Sequence, residues 1–210
     1  MAADLIAARL SAERFRERVI TGRPFDNFPV DSFFIADNIL RIDLIPFPNL
    51  ENLLDSPAAI KPNLREMYVD DDLFGAYGDR RAKPWELNRL RFSIAHELGH
   101  IEMHANRINE VRCNEIDDLM ELFNRKDGPR YCLEQEANEF AGRLIAPVEK
   151  LREALEGFRK LQTEPRWRDS AELRAQFAQL VGRSLGLNEE GMRTRLDRDE
   201  IWPAEWTEGG

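Results

Sequence analysis

Of the three histidines in this 210-residue chain, two stand four positions apart, with a glutamate directly after the first: His96-Glu97-Leu98-Gly99-His100. On a helix such residues lie about 40° apart around the axis, so both imidazoles leave one face and can grip a single ion. Glu97 lies beside that face, where it can take a proton from a metal-bound water without being a ligand. Neutral imidazoles joined by a carboxylate suit Zn²⁺, and a fourth position open to water marks a catalytic site rather than a structural one. The flanking residues constrain the fold as strongly. Leu87, Leu90, Ile94, Leu98 and Ile101 form an apolar stripe, while Ala95, Gly99 and Met103 face elsewhere. A helix packed on several sides carries its polar face into the protein, and two buried histidines with a glutamate need a charge partner. The bland alternative is the same pattern on an exposed surface, holding nothing.

The third ligand must come from elsewhere. His104 is the remaining histidine, and it is too close to His100 for the metzincin spacing, whose third ligand falls six residues after the second; position 106 is Asn. His104 reads as a residue that supports the site or ends the helix. A carboxylate is therefore expected, from Glu134-Gln135-Glu136-Ala137-Asn138-Glu139-Phe140-Ala141. Leu133, Ala137, Phe140, Ala141 and Leu144 give this segment an apolar face, with Glu134 on one flank and Glu136 on the other. Asn138, one turn after Glu134, is placed to orient it, so Glu134 is preferred to Glu136. Tyr131, Arg143 and His104 are candidate oxyanion stabilisers by proximity in sequence.

The rest of the chain supplies helices and a little sheet. Leu5, Ile6, Leu10, Phe15 and Val19 have helical spacing, closed by Gly22 and Pro24. A short helix is expected over Ser32 to Asn38, then a strand over Ile39 to Ile45. Residues 65–77, with Asp70 to Asp72 as the turn, read as a β-hairpin. Pro84 opens a helix running to about His104. Further helices are expected over Asn114 to Phe123, over Tyr131 to Ile145, and from there to about residue 198, with breaks at Thr163-Glu164-Pro165 and Gly186.

The two segments Arg91-Phe92-Ser93-Ile94-Ala95-His96-Glu97-Leu98-Gly99-His100, trailed by Met103-His104, and Glu134-x-x-Ala137-Asn138-x-Phe140-Ala141-x-x-Leu144-Ile145-x-Pro147 resemble the ImmA/IrrE family of metallo-endopeptidases. The likeness covers roughly residues 25 to 148. It implies a zincin-like metallopeptidase core of class α+β, mostly helical, with a small antiparallel sheet of about three strands and C-terminal helices beyond it. It implies one Zn²⁺ per chain held by His96, His100 and Glu134, with Glu97 as general base and Asn138 standing where related gluzincins carry an aspartate. Members of the family act beside transcriptional regulators in phage, mobile-element and stress settings, and their typical substrate is a helix-turn-helix repressor. The hairpin at 65–77 would then offer an edge for an extended peptide. The expected organisation is a peptidase domain over 1–148, a helix-turn-helix-like helical region over 149–198 and a tail over 199–210.

Composition narrows the setting. A net charge of −9 opposes general binding to nucleic acid or anionic membrane. The first twenty residues hold charges throughout, which excludes a signal peptide, and no apolar run is long enough to span a bilayer. Cys113 and Cys132 are expected to be reduced thiols, and the location cytoplasmic. In the C-terminal pair Gly186 would make the turn, Asn188 the cap, and Met192 and Leu196 the inward contacts. Arg193 and Arg195 are basic, but Glu189 and Glu190 occupy the turn that would meet bases, so DNA contact is not expected. Two rivals remain: a non-proteolytic regulator that binds a repressor or toxin, with a structural or vestigial metal site, and a DNA-binding regulator using residues 150–210.

Overall fold

In α1 (Leu5–Val19) the side chains of Ala8, Ala12, Phe15 and Val19 recur on one face and are buried, and Asp4 caps the helix by accepting from the Ala7 amide. The computed structural model describes residues 3–109, 129–163 and 167–202. Asp31 caps the next helix, α2 (Ser32–Phe34), which widens at once into a π-helical turn over Ile35–Ile39. The expected strand therefore starts later, as β1 (Asp43–Phe47). After α3 (Leu50–Leu54) come β2 (Ala58–Ile60) and β3 (Glu66–Asp70).

The three strands are ordered β1-β3-β2. β2 and β3 are antiparallel, but β1 and β3 run parallel, because α3 and β2 form a crossover between them. The sheet is thus mixed rather than antiparallel. Nor do residues 65–77 form a hairpin: β3 runs directly into α4 (Asp71–Gly78). Asp71 and Asp72 occupy the first turn of α4, where carboxylates favour the positive end of a helix, so the three aspartates start a helix instead of turning a strand. β3 is the central strand, paired on both sides, and has no edge on which a peptide could be laid.

Pro84 opens α5 (Pro84–Asn109), as its missing N–H allows. Leu90, Ile94, Ala95 and Leu98 on this helix are all buried. α6 (Pro129–Ile145) packs across it, and α7 (Val148–Arg159) follows Pro147. The helix expected over Asn114 to Phe123 lies outside the described residues. α8 (Ala171–Leu185) ends on Gly186, whose φ of +92° suits a glycine, and Asn188 caps α9 (Glu189–Arg198) by accepting from the Gly191 amide. Met192 and Leu196 point inward and are fully buried. Trp202 closes this end, packing on Phe158, Trp167 and Phe177 and donating its indole N–H to the Arg168 carbonyl at 2.9 Å. One apolar core runs through α1, the sheet, α5, α6 and the C-terminal helices. No described helix is long and apolar enough to cross a membrane.

Candidate metal centre

The packing of α5 on α6 decides which side chains meet. At the crossing sits Gly99, where an added Cβ would lie 3.0 Å from the Phe140 ring and 3.1 Å from its Cβ. The glycine inside the motif therefore sets how closely the two helices approach. Gly99→Ala should push them apart and cost about 1–3 kcal/mol in thermal unfolding, as overpacked cores do; an unchanged midpoint would show that the crossing yields freely.

His96 and His100 lie one turn apart on α5, with ring centroids 4.7 Å apart. Across from them α6 brings Glu134. His96 Nε2 is 3.0 Å from His100 Nε2 and 3.0 Å from Glu134 Oε2, while His100 Nε2 is 3.5 Å from Glu134 Oε1. Tetrahedral zinc with bonds of about 2.0–2.1 Å spaces neighbouring ligand atoms about 3.3–3.4 Å apart, close to these three separations, in which the two histidines face different oxygens of Glu134. The chemistry fits too. Asn138 Oδ1 stands 3.0 Å from His96 Nδ1 and can only accept, so His96 donates from Nδ1 and, when neutral, turns its Nε2 lone pair toward a carboxylate. Facing acceptors of this kind call for a cation between them.

Protonation of the chain alone reflects the same deficit. Burial pulls the His96 pKa down, yet the hydrogen bond to Glu134 and the charges of Glu97 and Glu134 hold it above its ordinary value. Burial pushes Glu134 up, but hydrogen bonds to His100 and His96 keep it well below the usual carboxylate range. Proton and metal compete for one lone pair.

Glu97 is 2 % exposed, and its carboxylate lies within 4.8 Å of the ligand atoms of both histidines. Its Oε2 accepts the Ile60 amide of β2 at 2.8 Å. Burial raises its pKa, partly offset by His100, His96 and that amide, which makes it a better proton acceptor than a solvated glutamate. Nothing in the sequence flagged Ile60; it precedes Glu97 by 37 residues and meets it only through the packing of the sheet on α5.

The remaining candidates sort by position. Asn138 serves His96 and not Glu134 as expected, because the turn of α6 after Glu134 lies over the first histidine. Glu136 points away from the triangle to His104 and the Asp4 amide. Tyr131, 61 % exposed, stands in the first turn of α6, three residues ahead of Glu134. Arg143 is drawn into ion pairs with Glu139 and Asp199, which removes it as an oxyanion stabiliser. His104 is engaged at both ring nitrogens. In the C-terminal pair Arg195 is buried against Glu139 and Asp199, while Arg193 forms an exposed pair with Glu189 one turn earlier on α9.

No curated protein matches the chain at a meaningful level of similarity. Residues 86–184, which hold His96, Glu97, His100, Glu134 and Asn138, match the family model described as the IrrE N-terminal-like domain, Peptidase_M78. The match starts later than the likeness expected over residues 25 to 148 and reaches further toward the C-terminus, extending into α8. Residues 86–184 are thus similar to the IrrE N-terminal-like peptidase domain.

Proposed function

We propose that the chain is an intracellular zinc-dependent endopeptidase that cleaves a regulatory protein, with a helix-turn-helix transcriptional repressor as the expected class of substrate. The family match supports a metallopeptidase-type activity. The observation that carries the reading is the triangle of His96, His100 and Glu134 with the buried carboxylate of Glu97 beside it. Zinc, when bound, supplies a Lewis acid that activates water at neutral pH and polarises the scissile carbonyl. The chain's own part is to orient and to move a proton. Asn138 fixes the His96 ring, the Ile60 amide holds Oε2 of Glu97, and Oε1 is the atom that would take the proton and return it to the leaving nitrogen. The repressor as substrate rests on the family resemblance.

Elemental analysis of protein purified without chelator or nickel resin tests the site. About one zinc per chain is expected, lost in Glu134→Ala and kept in Glu136→Ala. A folded wild type without metal would reject the peptidase reading. Zinc-loaded protein that captures a repressor without cutting it would instead favour a binding protein.

A further inference from the structure

A second chain of polar contacts leads away from the metal triangle and ends in the N-terminal helix. His100 Nδ1 stands 3.0 Å from His104 Nδ1, His104 Nε2 stands 2.9 Å from Glu136 Oε2, and the Asp4 amide donates to Glu136 Oε1 at 2.7 Å. Its middle links are shielded from water: the His104 side chain is 4 % exposed and that of Glu136 is 17 % exposed. Two rings meeting nitrogen to nitrogen can share only one proton along that line, so donors and acceptors must alternate through the chain.

Glu136, as a carboxylate, only accepts; its Oε1 is already filled by a backbone N–H, and Oε2 takes the Nε2–H of His104. A neutral His104 is then left with a lone pair at Nδ1, and His100 must carry its proton at Nδ1 to meet it. That leaves the Nε2 lone pair of His100 facing Glu134 and His96. We propose that His104, Glu136 and the Asp4 amide form a relay that fixes the tautomer of His100, so that its metal-facing nitrogen is unprotonated before any ion arrives. His104 and Glu136 are positioning residues, acting through His100. The final link comes from outside the matched segment: Asp4 precedes residues 86–184 and meets Glu136 across 132 positions because α1 packs on α6. The two histidines of the motif are thus held by different devices, Asn138 for His96 and a three-membered relay for His100.

This inference rests on the metal-site reading for its consequence but not for its first test. Long-range ¹H–¹⁵N correlation on the metal-free, ¹⁵N-labelled full chain reads the tautomers of His100 and His104 directly. The expected result is His100 protonated at Nδ1 and His104 at Nε2. Finding His100 protonated at Nε2, or His104 doubly protonated near neutral pH, would overturn the relay without touching the zinc assignment. In His104→Leu the tautomer of His100 should shift toward Nε2–H, and zinc affinity by competition with a chromophoric chelator should fall about 10–100-fold, as when a ligand loses its orienting partner. His104→Asn places an acceptor oxygen where Nδ1 was and should restore most of both. Equal loss in Leu and Asn variants would reduce His104 to a packing residue. Should His104→Leu not fold, Glu136→Ala takes its place: it should keep about one zinc per chain at saturating metal but shift the His100 tautomer toward Nε2–H and weaken zinc binding about 10–100-fold. An unshifted tautomer would overturn the relay. A wild type with the expected tautomers that binds no zinc would refute the proposed function and leave the relay standing.

Discussion

Glu97→Gln is expected to lower peptide hydrolysis by about 10²–10⁴-fold, the usual contribution of a positioned general base, while zinc stoichiometry stays unchanged. The reason lies in what the amide keeps and what it loses. A glutamine oxygen can still accept the Ile60 N–H that holds Oε2 at 2.8 Å, so the side chain stays in place. It cannot take a proton at neutral pH. The fold should not suffer either. Burial raises the Glu97 pKa above its unfolded value, so its charged form opposes folding as pH rises above the ordinary carboxylate range. The metal-free variant should therefore unfold at or above the wild-type temperature at pH 7. A variant that keeps full activity would remove Glu97 from the chemistry, and one that loses zinc would mean that Glu97 is itself a ligand.

The largest effect on stability is expected from Glu139→Ala. The side chain of Glu139, 1 % exposed, accepts from Arg9 at 2.9 Å, from Arg198 at 2.7 Å and from Arg195 at 3.4 Å, and Arg143 lies at 3.5 Å. Asp199, equally enclosed, pairs with Arg195 at 2.6 Å and with Arg143. The cluster ties α1, α6 and α9 together. Removing one carboxylate leaves buried guanidiniums short of a counter-charge, at a cost of about 3–5 kcal/mol. For a chain of this size that corresponds to a fall in melting temperature of about 6–20 °C. Glu189→Ala, which breaks only the exposed pair with Arg193, should change stability by less than about 0.5 kcal/mol. Burial pushes the Glu139 pKa up, but Arg198, Arg195 and Arg9 together hold it below its ordinary value of 4.5. A carboxylate depressed in the folded state stabilises above its unfolded pKa and loses that contribution as pH falls through the folded one. Wild type should accordingly lose stability relative to Glu139→Ala as the pH drops below about 4.5. A constant difference between the two from pH 7 to pH 3 would show that the cluster acts through packing alone.

The residues that looked like chemistry in the sequence and those that the fold brings together overlap unevenly. His96, Glu97 and His100 were legible because four residues make about one helical turn, so their juxtaposition is local and needs no tertiary knowledge. α5 itself was equally plain, its proline start and apolar stripe agreeing with one another. The start of α4 was not. Asp70, Asp71 and Asp72 suit a turn and a helix N-terminus alike, and only the pairing of β3 on both sides shows that the chain goes on into a helix. The direction of β1 was hidden for a related reason: alternation marks a strand but carries no information about whether its partner runs with it or against it.

Sequence by itself determined the helical frame, the pair of histidines with their glutamate, and the short list of carboxylates that could join them. Tertiary structure decided the rest. Glu134 and Glu136 are two residues apart on one helix and differ by about 200° in direction, so the crossing of α5 and α6 alone settles which meets the histidines. The same crossing gives Asn138 to His96 and Glu136 to His104. The Ile60 amide and the Asp4 amide enter from segments 37 and 132 positions away. Backbone groups are the same in every residue, so no side-chain pattern can announce which of them will be used; only packing chooses.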